Sequence, residues 1–104
     1  MPASRIAALL GATDTAIFLG RRPRLFRDSP GRALGSLALM ALWLAAAATA
    51  GGRRRDPRTL ATAAALVAAN AGLVAAHLRA RITSPRIFAG AALSAVVLAD
   101  TLRR

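Results

Sequence analysis

The stretch Gly35–Gly52 reads GSLALMALWLAAAATAGG, eighteen residues without a charged side chain. Its strongly apolar residues are Leu37, Leu39, Met40, Leu42, Trp43 and Leu44, the kinds that drive insertion into lipid. A helix of about 20 mainly apolar residues crosses the hydrocarbon core of a bilayer. Thr59–Leu78 is a second such run, uncharged when His77 is neutral. Two shorter runs flank this pair: Ile6–Gly20, interrupted by Asp14, and Ile87–Ala99, followed by Asp100 and Leu102. A soluble amphipathic helix spreads its apolar residues as a stripe; here they fall in unbroken blocks. The expected fold is therefore all-α: one domain over 1–104, a small integral membrane bundle of four antiparallel transmembrane helices. The first run is short and broken by Asp14, and three spans plus a surface helix is the fallback.

Prolines mark the boundaries. Pro2, Pro30, Pro57 and Pro85 recur at spacings of 28, 27 and 28, and each is followed within three residues by an arginine: Arg5, Arg32, Arg58 and Arg86. Ser29, Asp56 and Ser84 precede three of them. A side-chain oxygen before the first turn can accept an orphan N–H, and proline at the first helical position gives up only a donor that would be unpaired there. These signals predict helices over about 2–20, 30–51, 57–78 and 85–102. At 1.5 Å per residue each is about 27–33 Å long, matching a hydrocarbon core of ~30 Å. The short connections make successive helices antiparallel neighbours.

The 104 residues carry a net charge of +11, with 56% hydrophobic residues. All fifteen basic residues are arginine, all four acids are aspartate, and there is no Cys, Glu, Gln, Lys or Tyr. The missing cysteine excludes a disulfide framework, a thiolate metal site and a cysteine nucleophile. One His and four separated Asp give no pair at metal-ligand spacing. No nucleophile–base pair or phosphate-binding glycine loop occurs. Neither a cofactor nor an enzymatic activity is expected.

The arginines cluster between the apolar runs. Arg21, Arg22 and Arg24 lie in the first connection, Arg53, Arg54 and Arg55 in the second. Interfacial arginine attracts anionic headgroups by about 1 kcal/mol each, so the bilayer and its anionic lipids are the expected partners. Nucleic acid is not: single strands want aromatic stacking platforms, and only Phe26 lies in a basic connection. For four spans, the two sides carry seven and eight arginines, so the positive-inside rule assigns no orientation. The expected location is integral to a membrane, a bacterial plasma membrane.

Few polar residues lie within the apolar runs. Asp14 shares a helical face with Ala7, Leu10, Gly11, Ile17 and Phe18. A carboxylate at the bilayer centre costs about 2.5–3.5 kcal/mol on the insertion scale, so Asp14 is expected to face protein or water. Asn70 and His77, seven residues apart, point the same way on the third helix. The three together form a candidate intramembrane polar site, in which Asn70 reads best as an interhelical hydrogen-bond partner. Ala68, Gly72 and Ala76 form a ridge of small residues opposite Asn70. Such a ridge lets another helix approach closely, so both faces of the third helix are expected to be buried.

Two functions suit these features. The first is an accessory or scaffold subunit working through helix–helix contacts, as a homo-oligomer or with a larger membrane partner. The second is a minimal proton-coupled exporter of small molecules that uses Asp14. In length, helix count and a lone acid in the first helix, the chain resembles the small multidrug resistance exporters in architecture only. That family uses Glu where Asp14 stands, and its aromatic cage has no counterpart in a chain whose only Trp is Trp43.

Overall fold

The computed structural model describes residues 3–49, 57–81 and 84–103. Among these residues the structure is helical, without strands. Helix α1 spans Ala3–Arg21, α2 is a short turn of helix at Leu25–Asp28, and α3 spans Pro30–Thr49. Helix α4 spans Pro57–Arg79 and α5 spans Pro85–Arg103. Three prolines begin their helices as predicted; Pro2 and the expected end of α3 at Gly51 lie outside the described residues. The carbonyls of Ser29 and Ser84 accept the first helical N–H groups, from Ala33 at 3.0 Å and Ile87 at 3.2 Å. Helix α4 ends at Arg79, and two residues later Arg81 adopts φ of 56°. That left-handed conformation stops a helix and costs a non-glycine residue about 1–2 kcal/mol.

Helix α1 packs on both α3 and α5, α4 packs on α5 and α3, and α2 rests on α3. Directions follow from paired residues. Arg5 near the start of α1 reaches Ala47 near the end of α3, and Gly11 lies against Trp43. Ser4 meets Asp100 at the far end of α5, while Asp14 meets Arg86 at its beginning. Helix α1 is thus antiparallel to both neighbours.

The expected linker around Arg24 contains α2, which buries Leu25. An apolar residue among four arginines gains by turning inward, and one helical turn is enough to do it.

Small side chains build the interior. Ala7, Ala8 and Ala12 of α1 meet Trp43 and Ala46 of α3, Ala63 and Leu66 of α4, and Val97 of α5. Trp43, 1% exposed, fills the centre. Its indole lies on the backbone of α1 at Gly11, where an added Cβ would fall onto the ring. This glycine is required by contact: any side chain would push the two helices apart.

Many of the large apolar residues point outward. Ile6, Leu10, Leu34, Leu44, Leu78 and Phe88 are each more than 40% exposed. Three helices, α3, α4 and α5, are long and apolar enough to cross a membrane. At most 22% of the apolar window of any of them is buried within the chain.

Candidate functional site

The inward face of α1 is Ser4, Ala7, Ala8, Gly11, Ala12 and Thr15. Leu10 and Ile17 turn outward at 54% and 49% exposure, and Asp14 stands at the border between the two faces. The small residues win the interior because they allow close approach.

Asp14 is bound to Arg86. The Arg86 Nε donates to both carboxylate oxygens, at 2.9 and 3.0 Å, and a terminal nitrogen reaches the Asp14 carbonyl at 3.3 Å. Both side chains are 45% exposed. The pair lies in an open groove of about 580 Å³, lined by Asp14, Ile17, Phe18, Arg21, Arg22, Ser84 and Arg86. Arg86 also covers the Phe18 ring at 4.6 Å, and Arg22 approaches the same ring at 5.2 Å. Three guanidiniums against one carboxylate make the groove cationic.

The other two polar candidates lie elsewhere. Asn70 is buried on α4, and its amide nitrogen donates to the Leu66 carbonyl of its own helix at 2.9 Å. The expected interhelical hydrogen bond is replaced by this internal one. Its side-chain oxygen faces Gly90 of α5, where a Cβ would sit 3.0 Å away. Asn70 therefore acts as a spacer at the α4–α5 contact. His77 is half-buried, and its Nδ1 donates to the Leu73 carbonyl at 2.8 Å. That bond assigns the proton to Nδ1, because a carbonyl can only accept. No hydrogen bond or ion pair joins Asp14 to Asn70 or His77 among the described residues. The three do not converge.

Ala68, Gly72 and Ala76 are exposed on α4, and nothing lies within 4 Å of a Cβ added at Gly72. The ridge was expected to be buried; within this chain it is bare. Thr59, Ala63, Leu66 and Asn70 make the inward face instead. Alanine supports either assignment, and the bulk of Leu66 decides it by packing into the cluster around Trp43. Arg21, Arg22 and Arg24 are exposed, as headgroup contact requires; Arg53, Arg54 and Arg55 lie outside the described residues.

Two contacts between α1 and α5, made by Asp100 and Arg86, carry no signal in the sequence. The Asp100 Oδ2 accepts the Ser4 N–H at 3.1 Å. A carboxylate at the start of α1 suits the positive end of that helix. Asp100 and Arg86 thus hold α1 to α5 at two heights. Comparison with protein families, curated proteins and solved structures finds no match.

Proposed function

We propose that the chain is a small integral membrane protein, a four-helix antiparallel bundle serving as an accessory or scaffold subunit through helix–helix contacts. The observation that carries this reading is the inverted distribution of side-chain size. Alanine, glycine and hydroxyl residues make up most of the interior around Trp43, Leu66, Ile87 and Val97, while Ile6, Leu10, Ile17, Leu34, Leu44 and Phe88 point out. In water such an outer surface would associate without specificity. In lipid it is solvated, and close packing of small residues holds the helices together. The long dimension of 41 Å suits a bilayer of about 40–45 Å including headgroups. A bacterial plasma membrane is the setting proposed.

The bare ridge on α4 supports a role in association. An exporter of organic cations would want Asp14 free in an enclosed cavity. Asp14 instead holds Arg86 in an open groove with two further arginines, which repels cations.

Gly72→Leu tests this reading. The space around Gly72 is open, so the variant keeps the wild-type helicity and thermal midpoint in mild detergent. Its mass by light scattering falls from an oligomer, or a complex with a membrane partner, to a single chain. A wild-type chain that is already monomeric and partnerless, or a Leu variant with unchanged association, overturns the proposal.

A further inference from the structure

The groove beside Asp14 holds more positive charge than its ion pair uses. Arg86 is engaged by Asp14. Arg21 and Arg22 line the same groove and make no ion pair among the described residues. Two guanidiniums, those of Arg22 and Arg86, rest on the Phe18 ring. A cation held over an aromatic face loses some of its freedom before any ligand arrives, so an incoming anion meets a partly ordered pair. Ser84 lies in the lining at the N-terminal end of α5, where the helix dipole also favours negative charge. Guanidinium forks match phosphate oxygens in geometry as well as charge.

The surface beside the groove identifies the source of that phosphate. Ile17 lines the groove and is 49% exposed; Leu10 and Ile6 continue outward from it at 54% and 47%. Spacings of seven and four residues keep all three on one side of α1. A charged pocket thus opens onto an apolar track that runs down the helix. A free anion has no use for that track, whereas a phospholipid uses both parts.

We propose that the groove between the end of α1 and the start of α5 binds one anionic phospholipid. Arg21, Arg22 and Arg86 hold the phosphate with help from Ser84, and an acyl chain lies along Ile17, Leu10 and Ile6. This rests on the membrane assignment above.

The test uses the full chain in mild detergent, titrated with phosphatidylglycerol or phosphatidylcholine and read by native mass spectrometry. One phosphatidylglycerol per chain is retained at concentrations where phosphatidylcholine is not. Arg21→Ala/Arg22→Ala weakens that binding about 30-fold, from ~1 kcal/mol for each arginine. Arg24→Ala/Arg27→Ala removes as much charge from the same connection, outside the groove lining, and keeps wild-type affinity. Ile17→Asn weakens phosphatidylglycerol binding and leaves the affinity for inorganic phosphate unchanged. Equal losses in the two double variants, equal binding of both lipids, or displacement by inorganic phosphate at the lipid's own concentration overturns the site. The arginines exchanged are exposed, and unchanged helicity by circular dichroism verifies that the variants fold. Alkaline extraction separates the two readings. Release of the chain into the soluble fraction overturns the membrane assignment itself, whereas a chain that stays in the membrane without lipid preference overturns only the site.

Discussion

Gly11 and Gly72 are both helix-interior glycines, and what separates them is the space each one faces. At Gly11 an added Cβ falls onto the Trp43 indole; at Gly72 it meets nothing within 4 Å. Outside any contact, Gly→Ala in a helix gains about 0.5–1 kcal/mol by reducing the freedom of the unfolded chain. Forcing a methyl into a packed interior costs about 1–3 kcal/mol. The same substitution therefore has opposite signs at the two positions. Gly11→Ala lowers the thermal midpoint in detergent and perturbs the emission of Trp43, the only tryptophan. Gly72→Ala raises the midpoint or leaves it unchanged. A Gly11→Ala variant as stable as wild type would show that the indole does not lie on α1. Nothing in the sequence around Gly11 marks it, because the residue that makes it necessary is 32 positions away.

Among the four long helices, α1 is the one outside the three spans that are apolar enough to cross a membrane, yet it has the longest roll of buried positions. Its polarity is placed at contacts. Asp14 holds Arg86, Asp100 holds the Ser4 N–H, and the Arg5 Nε donates to the Ala47 carbonyl at 3.3 Å. The last is a cation near the C-terminal end of α3, where the helix dipole favours it. If the Asp14–Arg86 pair is a clamp, its charges are exchangeable. Asp14→Asn shifts stability by no more than about 1 kcal/mol, the range for exposed pairs, because the amide oxygen still accepts from Arg86. Asp14→Arg sets like charges together and lowers the midpoint; adding Arg86→Asp restores most of it. A double variant no better than Asp14→Arg argues against the clamp. The helix starts were legible because Pro30, Pro57 and Pro85 act through local chemistry that needs no partner. The buried faces of α1 and α4 were not, because alanine and glycine fit an interior or a lipid-facing surface equally well. Pairings such as Asn70 with Gly90, or Ser4 with Asp100, were equally hidden, since they depend on how helices far apart in sequence dock.

For the whole molecule, the number of spans decides where the termini lie. With α1, α3, α4 and α5 all crossing, the first and last residues share one side of the membrane. With α1 on the surface and three helices crossing, they lie on opposite sides. The proposal of four spans rests on the α1–α5 contact: α1 runs beside α5 from Ser4 at Asp100 to Asp14 at Arg86, a stretch of about 15 Å at 1.5 Å per residue. On that proposal α1 crosses alongside α5 and does not lie flat in the interface. The absence of native cysteine makes the question open to single-site labelling. Ala3, Phe26 and Arg103 are all exposed, with Ala3 and Arg103 at one end of the α1–α5 pair and Phe26 in the connection beyond the other. In sealed vesicles, a membrane-impermeant maleimide is expected to label Ala3→Cys and Arg103→Cys to equal extents. Phe26→Cys takes the complementary fraction. The division of arginines, seven against eight, leaves the size of that fraction to a partner or to α1, and an even split is what insertion in both orientations would produce. The equality between Ala3→Cys and Arg103→Cys holds at any split, because each molecule carries both sites on one side. Full labelling of one with protection of the other would place the termini on opposite faces and remove α1 from the membrane-spanning bundle.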